Sequence, residues 1–335
     1  MSHRAKVLYA IQGTGNGHVS RARALYPKLI ESFDVDLALV GKNSDVKLPV
    51  QPVWKGRGVS MEYSKRGKVD VIKTILANSP IRIWKEMRDI PVCEYDFIIN
   101  DFESISLRAA KRIGVPVIGL SHQAAVSNPK SPKAKVFMPI GKFILSHYAP
   151  VNHAVGFHFK TYAEDILLPL LDGQILQGEY RAGEHVVVYT PAYGLNEIRK
   201  ALKSIPRSFT VFHREVTEVN LEGNIIWNQI DGDAFKNALL KSKAVVCSAG
   251  FELPSECLHH GIPLVVIPIQ GQYEQWCNAF ALKEIGVESL NKLNSGNLSE
   301  ALNRAVSRPL APAVFPDVSG LAVERIKTWW EEMRK

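Results

Sequence analysis

A chain of 335 residues exceeds what a single hydrophobic core usually supports, so two domains are expected. Hydrophobic residues at 46% and charged residues at 22% exclude a disordered chain, and no apolar run approaches the ~20 residues of a bilayer-spanning helix. The net charge of +8 admits nucleic acid, anionic lipid or phosphorylated small molecules and selects none of them. Cys93, Cys247, Cys257 and Cys277 show no C-x-x-C spacing and read as reduced thiols, and the apolar run 7–11 is too short for a secretory signal. A cytoplasmic location follows as the expectation.

Residues 6–11 have the pattern of a buried strand, followed by the turn Gln12-Gly13-Thr14-Gly15-Asn16-Gly17-His18 and an amphipathic helix over 19–32. The turn is not a dinucleotide fingerprint. Its third glycine position holds His18, and no acid closes the next strand, since Asp45 lies too far into the loop. A strand over 34–39 carries Asp34 and Asp36 on its solvent edge rather than as a metal-binding pair. The stretch 42–88 is basic and irregular, with Lys55, Arg57, Lys65, Arg66, Lys68 and Lys73 ahead of Ile81 and Trp84; it reads equally as an acceptor pocket and as a solvated face.

A strand over 95–100 delivers Asp101 and Glu103 at its carboxyl end, before a helix over 104–113 and a strand over 115–120. Asp101 either caps that helix or orients His18 and stabilises its protonated form. Residues 130–148 mix Lys130, Lys133, Lys135 and Lys142 with apolar side chains, a composition that suits a packed helix or a membrane surface. After a strand over 152–159, residues 167–183 have no period and read as the linker.

The second half opens with a strand over 185–189 and the turn Thr190-Pro191-Ala192-Tyr193-Gly194, and strands follow over 209–211 and 225–227. Asn228 stands where a nucleobase edge would lie, and Asp233 reads as the N-cap of a helix over 234–241. Next comes one βαβ unit: a strand over 244–247, the turn Ser248-Ala249-Gly250, a helix over 251–260 closed by Gly261 and Pro263, and a strand over 264–267. Its right-handed crossover places the helix N-terminus at the carboxyl edge of the sheet, where backbone N–H groups favour an anion. Glu256 lies nearly two helical turns beyond Gly250, and Glu274-Gln275 pair a carboxylate with an amide that suits sugar hydroxyls. Helices over 281–285, 299–306 and 320–333 complete the chain, the last with Trp329 and Trp330 for crossing back onto the first half.

The stretch 247–279 resembles the nucleotide-sugar signature of GT-B glycosyltransferases, both the UDP-glycosyltransferases and the peptidoglycan N-acetylglucosaminyltransferase. The turn ending in Gly17-His18, and the run from Asp96 to Gln123, resemble the N-terminal half of the same families. The resemblance implies an α/β fold of two doubly wound, Rossmann-like domains facing across a cleft: 1–170 on the acceptor side, 171–320 on the nucleotide-sugar side, and 321–335 crossing back. It implies diphosphate at Ser248, Ala249, Gly250 and Phe251, ribose on Glu256, and donor sugar on Gln272, Glu274 and Gln275 before Asn278-Ala279. Gly15, Asn16 and Gly17 would lie beside the donor phosphates, Thr190 would reach a phosphate oxygen, and His18, with Asp101 or Glu103, would take the acceptor proton. One departure stands out: Ser248 occupies a position where many relatives carry histidine or arginine.

The implied reaction moves a sugar from a UDP-linked donor to an acceptor hydroxyl, with inversion and without a metal or other cofactor. The expected partners are the nucleotide sugar and an acceptor that is lipid-linked or a glycan, with an anionic membrane surface as a further partner and no nucleic acid. Hydrolysis or epimerisation of a nucleotide sugar, and non-catalytic sensing of one, are the competing readings.

Overall fold

The computed structural model describes residues 4–41, 47–59, 74 and 77–335. Lys42, Asp45, Lys65, Arg66, Lys68 and Lys73 of the basic stretch lie outside the described residues. Among the described residues two seven-stranded sheets form, each flanked by helices.

The first sheet has the order β3-β2-β1-β4-β5-β6-β7, all parallel. Its strands are β1 (Lys6–Gln12), β2 (Asp34–Val40), β3 (Trp54–Gly56), β4 (Phe97–Asp101), β5 (Val117–Ser121), β6 (His153–Phe157) and β7 (Ile166–Leu167). Between them run α1 (Asn16–Ser32), α2 (Pro80–Asp89), α3 (Ser104–Ile113), α4 (His122–Ser127) and α5 (Pro139–His147). Burial on both faces explains the unbroken apolar run of β1, where Val7 through Ile11 are fully buried. Because β1 lies between β2 and β4, the chain reverses direction across the sheet there, and clefts open at such switch points. Ile11 is in register with Asp101, which sets the turn after β1 beside the end of β4.

The second sheet repeats the plan as β10-β11-β9-β8-β12-β13-β14, parallel except for the β10–β11 hairpin. It contains β8 (Val186–Tyr189), β9 (Phe209–Phe212), β10 (Asn220–Glu222), β11 (Ile225–Asn228), β12 (Ala244–Ser248), β13 (Leu264–Ile267) and β14 (Glu288–Ser289). A short α6 (Gly173–Leu176) precedes it. Then come α7 (Leu195–Leu202), α8 (Gly232–Leu240), α9 (Glu252–His260), α10 (Tyr273–Glu284), α11 (Ser295–Ser307) and α12 (Ser319–Met333). Its switch point lies between β8 and β12, so Thr190 and Ser248 leave the sheet side by side.

Two local expectations change. Asp231, not Asp233, caps α8, accepting the Ala234 N–H at 2.8 Å, because the helix starts two residues earlier than its apolar pattern suggests. Tyr273 begins α10 well ahead of residue 281. The last helix, α12, does return to the first sheet: Trp329 and Trp330 place their rings 5.5 and 4.8 Å from that of Phe97, with Phe33 on its edge at 5.4 Å. The largest cluster of buried apolar side chains therefore runs through both halves, from Val7 and Phe97 to Cys247, Ala279 and Trp329.

Candidate active site

The cleft is framed by two helix N-termini that no side chain caps. On one side α1 begins after Gly15, whose φ of 114° with open space around it suits glycine and strains any other residue. On the other, α9 begins after Phe251, and Gly250 also faces open space. The N–H groups at these helix starts and the aligned dipoles favour negative charge between them. Contact between the two is close: a β-carbon at Gly17 would come within 2.9 Å of Glu252 Cγ. Asn16 Nδ2 reaches the Tyr189 hydroxyl at 3.4 Å, again from one half to the other.

His18 and Asp101 meet. His18 Nδ1 lies 2.8 Å from Asp101 Oδ1, with Asp101 fully buried and His18 half-buried at the cleft wall. An ionised carboxylate can only accept, so Nδ1 carries the proton and Nε2 keeps its lone pair. Glu103 is committed elsewhere: its carboxylate accepts the N–H groups of Ile105 and Ser106 and caps α3. Burial raises its pKa, with those N–H groups opposing the shift. The residue between them, Phe102, has φ of 53°, a strained conformation that turns Asp101 and Glu103 to different tasks.

Arg21 joins this pair without having been signalled by any motif. Its guanidinium is buried at 3% exposure, donates from Nη1 to Asp101 Oδ1 at 2.7 Å, and from Nη2 to Glu252 Oε1 at 2.5 Å. Burial alone would lower its pKa, but the carboxylates of Asp101 and Glu252 raise it, so the cation is fixed. Helical spacing held the clue, since Arg21 is one turn after His18 and Glu252 one turn before Glu256.

Glu256 is half-buried on α9 and has no hydrogen-bond partner among the described residues. Burial, and then the nearby Glu252 carboxylate, push its pKa up to about 8, which favours the neutral acid.

The remaining predicted residues fall into different environments. Thr190 is fully buried and its hydroxyl lacks a partner among the described residues. Ser248 is half-buried at the end of β12, and the Ala249 carbonyl accepts Asn278 Nδ2 at 3.1 Å. Gln272 stands at the N-cap of α10. Glu274 and Gln275 separate: Gln123 Nε2 donates to Glu274 Oε2 at 3.0 Å, while Gln275 turns inward and its Oε1 accepts the Ile269 N–H at 3.0 Å. Burial raises the pKa of Glu274, with the Gln123 hydrogen bond opposing. Beneath them His122 stacks on Phe251 at 4.0 Å and contacts Asn278 Oδ1 at 2.7 Å, another contact between halves that sequence reading misses. Burial, then His158, lowers the His122 pKa well below its ordinary value, which keeps the imidazole neutral.

Comparison with known proteins bears on the fold and the family. A UDP-glucosyltransferase from Polygonum tinctorium capable of glucosylating indoxyl superposes with a TM-score of 0.61 at 14% identity, covering 99% of this chain and 100% of that one. MurG of Acinetobacter baumannii matches at 0.53 and 15% identity over 97% and 99% of the two chains. A putative UDP-N-acetylglucosamine 2-epimerase from Listeria monocytogenes matches at 0.58 and 14% identity over 99% and 98%. These likenesses show the two-domain, Rossmann-like GT-B fold. No curated protein sequence matches the chain. The family model of glycosyl transferase family 1, however, matches residues 5–305, and with most of its length covered the chain belongs to that family of sugar-transferring enzymes.

Proposed function

We propose that the enzyme transfers a sugar from a UDP-linked donor to an acceptor hydroxyl with inversion at the sugar's anomeric carbon. The observation that carries this reading is the His18–Asp101 contact at 2.8 Å, opposite the uncapped start of α9. His18 Nε2 takes the hydroxyl proton, and the oxygen lone pair forms the new bond to the anomeric carbon. The bond from that carbon to the donor's phosphate oxygen breaks, and its electron pair leaves with the diphosphate. Asp101 balances the imidazolium formed. N–H groups at Gly250 and Phe251 and the α9 dipole receive the developing charge on the diphosphate, so the reading requires no metal ion. Glu256, on the same helix and without a hydrogen-bond partner among the described residues, meets the ribose hydroxyls. Glu274, Gln275 and Gln272 at the start of α10 contact the donor sugar.

Thermal shift against UDP-, dTDP- and GDP-sugars tests the donor class. A ligand at 100 times its dissociation constant adds about 2.7 kcal/mol to stability. Stabilisation by UDP-sugars above the others is the expected result; equal stabilisation by all three, or none, overturns the donor assignment.

The acceptor reading concerns α5 and the segment before it. Phe137, Ile140 and Phe143 are 95%, 60% and 62% exposed, beside exposed Lys130, Lys135 and Lys142. Gly141 on the same helix packs against Tyr273, which fixes the outward direction of those apolar side chains. Apolar side chains ringed by lysines fit an anionic bilayer surface, which supports a lipid-linked acceptor and peripheral membrane association. Among the described residues no helix is long and apolar enough to cross a membrane.

A further inference from the structure

Among the described residues Arg21 is the one buried cation that touches both halves of the chain at the site. It stands one turn beyond His18 on α1 and shares a single acceptor with it: Asp101 Oδ1 lies 2.8 Å from His18 Nδ1 and 2.7 Å from Arg21 Nη1. The other arm of the guanidinium crosses to Glu252 Oε1 on α9, in the second half. The planar fork allows this, since its N–H groups point in fixed, divergent directions. The side chain is held over the Phe157 ring at 5.7 Å. Arg21 Nε and Asp101 Oδ2 have no partner among the described residues, so the network is organised through the three polar contacts named.

Charge counting gives this arrangement a consequence. Asp101 and Arg21 alone sum to zero, and a guanidinium beside the imidazole opposes its protonation. Glu252 adds a second carboxylate and makes the buried set net negative by one, which an imidazolium at His18 would neutralise. The groups facing His18 and this set are Tyr9 from β1, Asp101 from β4, His122 from α4, Glu252 and Glu256 from α9 and Glu274 from α10. Of these, the carboxylate bonded to Arg21 in the second half is Glu252. We propose that Arg21 is a positioning residue that relays the docking of α9 to His18: the base gains its full proton affinity only when Glu252 shares the Arg21 cation. The inference rests on His18 as the base for its catalytic meaning, but the coupling is a property of the empty protein.

The test follows the imidazole directly, by NMR titration of His18 in the full-length protein labelled at histidine, with His18→Gln used to assign the signal. Glu252→Gln preserves size and a hydrogen bond to Arg21 while removing the charge, so the His18 midpoint moves downward. Arg21→Met removes the opposing cation and moves the midpoint upward. Arg21→Lys, which keeps the charge but loses the fork, serves if Arg21→Met does not fold, and it blunts the response to Glu252→Gln. An unmoved midpoint in Glu252→Gln overturns the coupling. Turnover separates the two claims: if the midpoint moves and the acid limb of kcat/KM does not follow, the relay stands and His18 is not the base.

Discussion

His18 Nδ1 and Asp101 Oδ1 are 2.8 Å apart although 83 residues of chain separate them, because the parallel β1–β4 pairing brings the carboxyl ends of the two strands together. The contact engages Nδ1 and leaves Nε2 as the nitrogen for the acceptor proton in the proposed reaction. His18→Ala is expected to lower kcat by roughly 10²–10⁴, with donor affinity nearly unchanged, because the proton moves only in the transition state. Single-turnover kinetics with saturating donor checks this. An unchanged kcat removes His18 from the mechanism, and Glu103 does not replace it, since both its oxygens are held by α3.

Glu256 is expected to bind ribose. Hydrogen bonds to a charged group contribute about 1.5–3 kcal/mol. Glu256→Gln therefore weakens UDP binding by roughly tenfold or more where the carboxylate is ionised, at 1.4 kcal/mol per decade. Its pKa of about 8 makes the loss larger at pH 9 than at pH 6. Titration calorimetry with UDP and its 2′,3′-dideoxy analogue closes the cycle, and an equal loss for both ligands contradicts a ribose contact.

The same carboxyl gives stability a pH dependence. In the folded protein it keeps its proton up to about pH 8, whereas the unfolded chain releases it near 4.5. The folded state therefore binds more protons between these values, and this group's contribution falls as pH rises through that window. Glu256→Gln should match wild type in Tm near pH 4 and exceed it by several degrees at pH 9. A constant difference across that range contradicts the burial argument.

Membrane association has its own signature. Anionic liposomes at low salt should retain the protein and release it as salt screens the lysines, while neutral liposomes retain little. Phe143→Ser with Ile140→Ser should reduce retention several-fold without altering Tm, because both side chains are exposed. Equal binding of the double variant places the contact elsewhere.

Much of the fold was legible because its punctuation is local. The helix over 104–113 has an acid before it and Gly114 after it at φ of 80°, and the strand over 264–267 is a short apolar run between Pro263 and Pro268. The start of α10 was not, because Tyr273, Gln275, Cys277, Asn278, Ala279, Ala281 and Leu282 are buried around much of the helix and leave no amphipathic period to read. The β10 strand is exposed at all three residues and so lacks an apolar signal. At the site, the glycine turns, His18, Asp101 and Glu256 could be placed by fixed offsets within one βα unit. Arg21 with Glu252, Gln123 with Glu274 and His122 with Asn278 could not, since each pairs residues more than a hundred positions apart from different sheets. The division of labour between Asp101 and Glu103 turns on the backbone of Phe102, which no side-chain pattern encodes.

The return of α12 to the first sheet bears on the order in which the protein forms during synthesis. Phe97 belongs to the central β1–β4 pair, yet it is sealed by Trp329 and Trp330, which are synthesised more than two hundred residues later. The first half can pair its strands early but carries an open aromatic face until the second half is made. That wet face is a point of vulnerability to aggregation while translation lasts. It also couples the two halves in unfolding, because peeling away the final helix uncovers the middle of the first sheet rather than its rim.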